Sequence, residues 1–153
     1  MKNGFKTFDS DMHVYDAANL YDKYMNPKWG ERVPKGLRNG KHGRVEFKLG
    51  GGTTLRAITD VINHGQQQVA ERYAFAVARD YDPVSQLQGM DMEGLDLAVL
   101  FRTSPLHCDE TLEAEYANDL CKAWNSWIAD FCTEDSARLK ASALITLHDV
   151  DLA

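Results

Sequence analysis

Asp11 and His13, near the start of the chain, are the residues whose types and spacing are best suited to chemistry. They lie in residues 5–14, which we predict to form a short strand, and residues i and i+2 of a strand point to the same face. A carboxylate and an imidazole on one face suit a divalent metal ion, zinc above all, with manganese or iron as alternatives. The structural alternative is that Asp11 caps a turn and that His13 is a hydrogen-bonded core histidine.

Asp16 follows this pair in the sequence and has two interpretations. A carboxylate that accepts a hydrogen bond from a metal-ligating imidazole fixes the ring, so Asp16 is a candidate partner that orients His13. Asp is also a preferred N-cap residue, and Asp16 would equally well cap a short helix that begins at Ala17.

Other candidate side chains lie where the second and third predicted strands end. Arg102 follows the second strand, where it would bind a substrate carboxylate through two parallel hydrogen bonds or be a solvated loop arginine. His107 and Cys108, in the next loop, either line a substrate pocket or are incidental loop residues. His148 ends the third strand. It either faces the site or has a capping or surface role.

The elements that position these residues alternate between strands and helices. Residues 82–94 predict a helix, because Asp stands at its cap, Pro at its first position and Gly at its end. The apolar residues 95–101 and 140–147 predict buried strands, and residues 112–131 predict a long helix with an apolar stripe that includes two core tryptophans. This order is typical of the α/β class, with parallel βαβ units and a sheet covered on both faces.

The stretch 15–81 fits no simple βα unit. It contains a predicted helix over 17–25, a loop rich in Gly and Lys over 34–43, an exposed strand over 45–49 and a second helix over 55–62. We interpret the stretch as an insertion or arm after the first strand, which covers a site or contacts a neighbouring subunit.

The bulk composition narrows the classes of partner and the compartment. Lys and Arg total 17 against 23 for Asp and Glu, a net charge of −6, which argues against nucleic acid and anionic membranes as partners. The chain contains no apolar run near the roughly 20 residues that span a bilayer, and its first residues have no signal-peptide core. The cysteines, Cys108, Cys121 and Cys132, form no paired motif and are typical of reduced thiols in a cytoplasmic protein.

The opening segment resembles a known enzyme family. Asp9, Asp11 and His13 match the pattern D-x-D-x-H-x-x-E-P, while Asp16 and Ala17 replace its Glu-Pro. This pattern is similar to the opening of the amidohydrolase-related family that includes aminocarboxymuconate-semialdehyde decarboxylase and other aromatic-acid decarboxylases. The resemblance continues, in the right order, through residues 81–96, 116–131 and 138–150.

The resemblance implies that residues 1–153 are the N-terminal portion of a single metal-dependent (β/α)8 TIM-barrel domain, with roughly the first three of its strands. It also implies that Asp11 and His13 are first-strand metal ligands. The remaining ligands and the catalytic residues are then expected beyond residue 153, and the fragment alone is expected to be inactive.

The implied activity of the whole protein is that of a hydrolase or of a lyase that decarboxylates a small aromatic or carboxylate substrate without oxidation. The whole protein is expected to be a cytoplasmic homo-oligomer that binds a small molecule. The competing hypothesis is a catalytically inactive short α/β protein, or a barrel remnant, that acts through oligomer contacts.

Overall fold

The structure is a computed structural model, which describes residues 4–38, 45–48, 54–55, 71–103, 112–147 and 149–153. In chain order the elements are β1 (Phe8–Val14), α1 (Leu20–Tyr24), a 3-10 helix (Pro27–Arg32), β2 (Lys35–Arg38), β3 (Val45–Lys48), β4 (Thr54–Leu55), α2 (Ala74–Ala78), α3 (Pro83–Glu93), β5 (Leu97–Arg102), α4 (Ala114–Cys132), a 3-10 turn (Thr133–Asp135) and β6 (Leu139–Ala141).

The main sheet contains three parallel strands in the order β1-β5-β6. His13 of β1 pairs with Phe101 of β5, and Ala98 of β5 pairs with Leu139 of β6. The predicted parallel βαβ units, with successive strands as neighbours, are therefore confirmed. Because the strands are parallel, the carboxyl ends of β1 and β5 lie at the same edge of the sheet, where ligands bind in open α/β folds.

One face of this sheet is buried under α4. Ala98, Leu100 and Leu139 point to that side and belong to one core cluster with Leu120 and Trp124 of the helix. Burial of this apolar stripe supplies most of the stability of such a layer, at about 25 cal/mol per Å² of apolar surface removed from water. The predicted packing of the two tryptophans is confirmed, since Trp124 is fully buried and Trp127 nearly so.

The opposite face of the sheet, which we call the open face, carries Phe8, His13 and Phe101. Phe8 pairs with Leu97, and His13 pairs with Phe101. Leu97 and Phe101 are an even number of residues apart on one strand, so these side chains and those of their partners share one face. Phe8 is 56% exposed to solvent. Among the described residues, the helix face is thus fully covered and the open face only partly covered.

The predicted helix over 82–94 is confirmed as α3, with its caps. The Asp82 carboxylate accepts a hydrogen bond from the backbone N of Ser85 at 2.8 Å, and Pro83 is the first helical residue. Gly94 ends the helix in the left-handed region, at φ 72° and ψ 31°, a conformation that glycine adopts without steric cost.

The stretch 15–81 contains both core and peripheral structure. Leu20 and Tyr21 of α1 are fully buried in the main core, whereas β2, β3 and β4 form a separate antiparallel sheet. The predicted strand over 45–49 is confirmed as β3, and residues 34–43, predicted as a loop, contain β2. Leu55 lies in β4 instead of beginning a helix, and residues 56–62 lie outside the described residues.

The third strand is shorter than the prediction of 140–147, because β6 ends at Ala141. Beyond it the backbone pairs with a side chain instead of a strand. The Asn125 amide of α4 donates to the Leu144 carbonyl and accepts from the Leu144 backbone N, both at 2.8 Å. The apolar sequence therefore continues past the strand in an irregular conformation. There the backbone N–H and C=O of Leu144 form hydrogen bonds with a side chain of α4.

Candidate metal site

Asp11 and His13 lie together at the carboxyl end of β1. The His13 Nε2 atom is 3.6 Å from the Asp11 Oδ1 atom, and the side chains are 53% and 79% exposed, respectively. The two side chains therefore lie close together, as their spacing predicts, and their role as metal ligands stays a prediction. Neither alternative role fits, because an exposed His13 is no core histidine and the Asp11 carboxylate faces the imidazole.

A bulge in β1 brings Asp11 to this position. Asp9 pairs with Ala98 and Met12 with Leu100, so three steps along β1 match two along β5. Such an extra residue leaves a backbone N–H outside the ladder and re-aims nearby side chains. Here the Asp9 carboxylate accepts a hydrogen bond from the Asp11 backbone N at 2.9 Å, which satisfies a backbone donor within the bulge.

The His13 ring is oriented by a backbone carbonyl. Its Nδ1 atom is 2.9 Å from the carbonyl oxygen of Arg102, the last residue of β5. A carbonyl oxygen only accepts hydrogen bonds, so the geometry assigns the imidazole proton to Nδ1. The Nε2 lone pair is then left available on the side of the ring that faces Asp11.

These two atoms fit a shared divalent ion. With bonds of about 2.1 Å, two ligands of a tetrahedral zinc ion are about 3.4 Å apart. The 3.6 Å between His13 Nε2 and Asp11 Oδ1 needs almost no adjustment. A site of this kind takes at least three protein ligands, and within the described residues no group of three or more His, Cys, Asp or Glu side chains is placed to hold a metal. Asp11 and His13 alone would therefore supply only two of the ligands that such a site needs.

Arg102 lies on the other side of the sheet from these ligands. Phe101 pairs with His13 on the open face, so the next residue of the strand, Arg102, points into the helix layer. Its side chain is only 4% exposed, and its Nε atom donates to the Asp16 Oδ2 atom at 3.1 Å. The alternative of a solvated loop arginine is wrong, because strand alternation turns the side chain inward. A substrate bound beside Asp11 and His13 would lie on the opposite side of the sheet from this guanidinium, so the Arg102 side chain is not placed to bind its carboxylate.

Asp16 is the buried centre of this cluster. Its Oδ2 atom accepts from Arg102 and its Oδ1 atom accepts from the Trp124 indole N–H, both at 3.1 Å. The alternative that Asp16 caps a helix at Ala17 is wrong, since α1 begins at Leu20 with Asn19 as its N-cap. The described hydrogen bonds of Asp16 lead to Arg102 and Trp124, while the His13 ring is bonded to the Arg102 carbonyl.

The electrostatics of the cluster keep Arg102 charged. Burial alone would lower the pKa of the guanidinium, but attraction to Tyr21 and Asp16 outweighs burial and raises the pKa. The guanidinium carbon also lies 5.9 Å from the centre of the Tyr21 ring, within cation–π range. A buried ion pair with these additional partners is costly to break, because a lone charge would remain in the core.

Three roles were missed at the level of sequence: the Arg102 carbonyl, the Trp124 indole and the Asp9 carboxylate. The first two depend on strand register and helix packing, for which the sequence holds no local signal. Asp9 stands two residues before Asp11, a spacing at which Asp side chains bond to the backbone, so that signal was present. His107, Cys108 and His148 lie outside the described residues, and their predicted roles stay predictions.

Comparison with solved structures shows a shared fold. The chain matches the crystal structure of an amidohydrolase from Mycobacterium avium subsp. paratuberculosis K-10, with a TM-score of 0.64 and 16% sequence identity. The match covers 95% of this chain and 44% of that one, so the chain spans less than half the length of that structure. The predicted likeness to amidohydrolases is supported at the level of fold.

Comparison at the level of sequence gives no match, either to a protein-family model or to a curated protein. The described part of the chain contains no helix with the length and apolar character needed to cross a membrane.

Proposed function

We propose that the chain is the N-terminal part of a metal-dependent enzyme of the amidohydrolase superfamily, in which Asp11 and His13 supply the first-strand ligands of a divalent ion. Zinc suits this pair of donors best. The observation that carries the proposal is the 3.6 Å separation of His13 Nε2 and Asp11 Oδ1 at the carboxyl edge of a parallel sheet. Catalytic groups of parallel α/β folds collect at this edge.

The fold supports placing these strands in a larger barrel. Leu97 and Phe101 of β5 are half-buried on the open face, while Ala98 and Leu100 on the helix face are fully buried. In a closed barrel the open face would line the interior, and the helix face would pack against the outer helices. The proposed barrel would therefore cover the apolar side chains of the open face and hold Asp11 and His13 at its mouth.

The chemistry of the proposed enzyme follows from the metal and from the held imidazole. A bound divalent ion supplies Lewis acidity and lowers the pKa of a coordinated water. The chain's own contribution is to present His13 Nε2 unprotonated, because Nδ1 donates to the Arg102 carbonyl at 2.9 Å. The proposed reaction is hydrolysis, or decarboxylation without oxidation, of a small aromatic or carboxylate substrate.

The test measures metal content in the full-length protein. Zinc, manganese and iron are determined by mass spectrometry in the wild type and in Asp11→Ala and His13→Ala, and each substitution should lower the metal-to-protein ratio at least severalfold. Asp130→Ala serves as the control, because Asp130 is an exposed carboxylate on α4, away from the open face. Unchanged metal content in both site variants would refute the proposed site.

A second candidate function, without catalysis, rests on exposed apolar side chains. Phe8, Leu147 and Val150 are 56%, 81% and 86% exposed, and large apolar side chains that face water are candidates for contact surfaces. We propose that, if the protein is not an enzyme, these residues form an interface between copies of the chain. Loss of dimers in Phe8→Ser and Leu147→Ser, with metal content unchanged in Asp11→Ala and His13→Ala, would favour this function.

A further inference from the structure

Among the described residues, the His13 imidazole makes one hydrogen bond, to a backbone carbonyl, while its other nitrogen faces Asp11 at 3.6 Å. Nδ1 donates to the Arg102 oxygen at 2.9 Å, and the side chain is otherwise half exposed. The nearest ring, Phe101, is tilted with its centroid 6.3 Å away, which is a loose contact. The proton and the angle of the ring are therefore set by wherever the Arg102 carbonyl lies.

The Arg102 carbonyl stands at the end of its strand. Arg102 is the last residue of β5 and pairs with Val14, the last residue of β1, and the described residues contain no further ladder pair that holds this peptide group. The terminal residues of a strand are where pairing frays first. A second restraint is needed at this position, and the Arg102 side chain supplies it.

The side chain is anchored on the far side of the sheet. Arg102 Nε donates to Asp16 Oδ2, and Asp16 Oδ1 accepts from the Trp124 indole, each at 3.1 Å. The Arg102 and Asp16 side chains are 4% and 0% exposed, so neither hydrogen bond competes with bulk water. Trp124 belongs to the fully buried stripe of α4 and is fixed by packing.

These contacts close a ring through the sheet. His13 is joined to Asp16 through the two backbone residues between them, Asp16 to the Arg102 side chain by an ion pair, and the Arg102 carbonyl back to His13 by a hydrogen bond. A displacement of Asp16 therefore moves the Arg102 Cα, and with it the acceptor of the His13 proton.

We propose that Arg102 is the positioning residue of His13: its carbonyl holds the proton on Nδ1, and the buried Asp16 carboxylate, itself held by Trp124, anchors Arg102 in the place that this requires. The consequence for metal binding rests on the function proposed above, whereas the effect on the imidazole does not.

The tautomer of His13 gives a direct test. The full-length protein is labelled with ¹⁵N-histidine, stripped of metal and studied by long-range ¹H–¹⁵N NMR at about pH 8.5, where histidine is neutral. The His13 signals are assigned by their loss in His13→Gln. We expect the Nδ1–H tautomer in the wild type, and a mixture of both tautomers in Asp16→Asn and Arg102→Gln, with Arg102→Lys closer to the wild type because it keeps the buried cation.

Asp119→Asn is the matched control. Asp119 also accepts from an indole, the Trp29 Nε1 atom at 2.7 Å, and is largely buried, but the described contacts of this pair do not include His13. The control should leave the His13 tautomer unchanged. Near-ultraviolet circular dichroism identifies folded variants. Trp124→Phe keeps an aromatic ring in the core, is a milder substitution and should shift the tautomer in the same direction.

Zinc affinity separates this proposal from the proposed function. Loss of a group that orients a ligating histidine costs about ten- to a hundredfold in metal affinity, so folded Asp16→Asn should show a zinc Kd raised by that factor. A tautomer shift without any zinc binding in the wild type would keep the positioning role and refute the metal site. An unchanged tautomer in folded Asp16→Asn, Arg102→Gln and Trp124→Phe would overturn the positioning role, whatever the zinc affinity.

Discussion

The indole N–H of Trp124 allows a carboxylate to lie in the apolar core. Asp16 has two strong acceptor oxygens, and Arg102 satisfies one of them while Trp124 satisfies the other. Buried polar atoms without partners are destabilising, so each donor in this cluster is a separate contribution to stability.

Replacement of the two neighbouring tryptophans should therefore have unequal effects. Trp124→Phe removes the donor to Asp16 as well as some packing, and we expect a loss of about 1–3 kcal/mol beyond the packing loss, the usual cost of an unsatisfied buried group. Trp127→Phe is the control, since Trp127 is also buried but has no described hydrogen bond to Asp16. Urea denaturation of both variants measures the difference, and equal midpoints would contradict this account.

At this scale the sequence predicts what depends on alternation along one strand and misses what depends on register. The i, i+2 spacing of Asp11 and His13 predicts that their side chains lie together, and they do, although a bulge in β1 also aims Asp11. The face of Arg102 follows from alternation along β5, but the predicted strand over 95–101 ends one residue too early to include it. A different limit applies to Asp16, whose partners lie 86 and 108 residues away in the sequence.

Among the elements, α3 is the one most fully determined by local sequence. Asp82, Pro83 and Gly94 each have a preferred position at a helix end, and each occupies it. Asp82→Ala removes the bond to the Ser85 backbone N and should cost about 1 kcal/mol, measured by the urea midpoint at neutral pH. Asp82→Asn keeps a capping oxygen and should lose less, and an equal loss in both variants would point to the Arg79 ion pair instead of the cap.

The same carboxylate makes α3 sensitive to acid. Partial burial would raise the pKa of Asp82, but hydrogen bonds from Arg79 and the Ser85 N–H outweigh burial and lower the pKa. Because the folded pKa lies below the unfolded one, the stabilisation is complete above the unfolded value of about 3.9 and is lost as the pH falls through the folded value. The difference in urea midpoint between the wild type and Asp82→Ala should therefore shrink below about pH 4; a constant difference down to about pH 2 would contradict this.

The end of β6 shows what local sequence cannot predict. The apolar residues after Ala141 favour a continued strand, but Asn125 takes both backbone groups of Leu144. Asn125→Ala should expose these groups and cost about 1–3 kcal/mol. Hydrogen exchange at the Leu144 amide should accelerate in this variant and stay unchanged in Ser126→Ala, which alters an exposed neighbour on α4. Slow exchange in both variants would show that the two Asn125 hydrogen bonds do not protect this segment.

For the whole molecule, the difference between the two sheet faces is the dominant feature. The helix face is buried by α4, whereas Phe8 on the open face is 56% exposed; Leu147, beyond the end of β6, is 81% exposed. At raised concentration, residues 1–153 alone should self-associate through these apolar side chains. Light scattering should show less association for a Phe8→Ser, Leu147→Ser double variant than for a control with Asp130→Ser, and equal association would assign the contact elsewhere. The sequence predicts the α/β class and the strand order, whereas the proposed closure into a barrel would involve contacts outside these three strands.

The bulge between Asp9 and Met12 also decides which changes of length the strand accommodates. The residues of β1 before and after the bulge pair regularly with β5, and the bulge contains one extra residue. Deletion of Ser10 would therefore convert the bulge to regular pairing and leave Phe8 and His13 on their present face. Deletion of Met12 would instead make Asp11 and His13 consecutive and send them to opposite faces. Between related chains, gaps in this strand are expected at residue 10 and not at residue 12, although the two positions are only two residues apart.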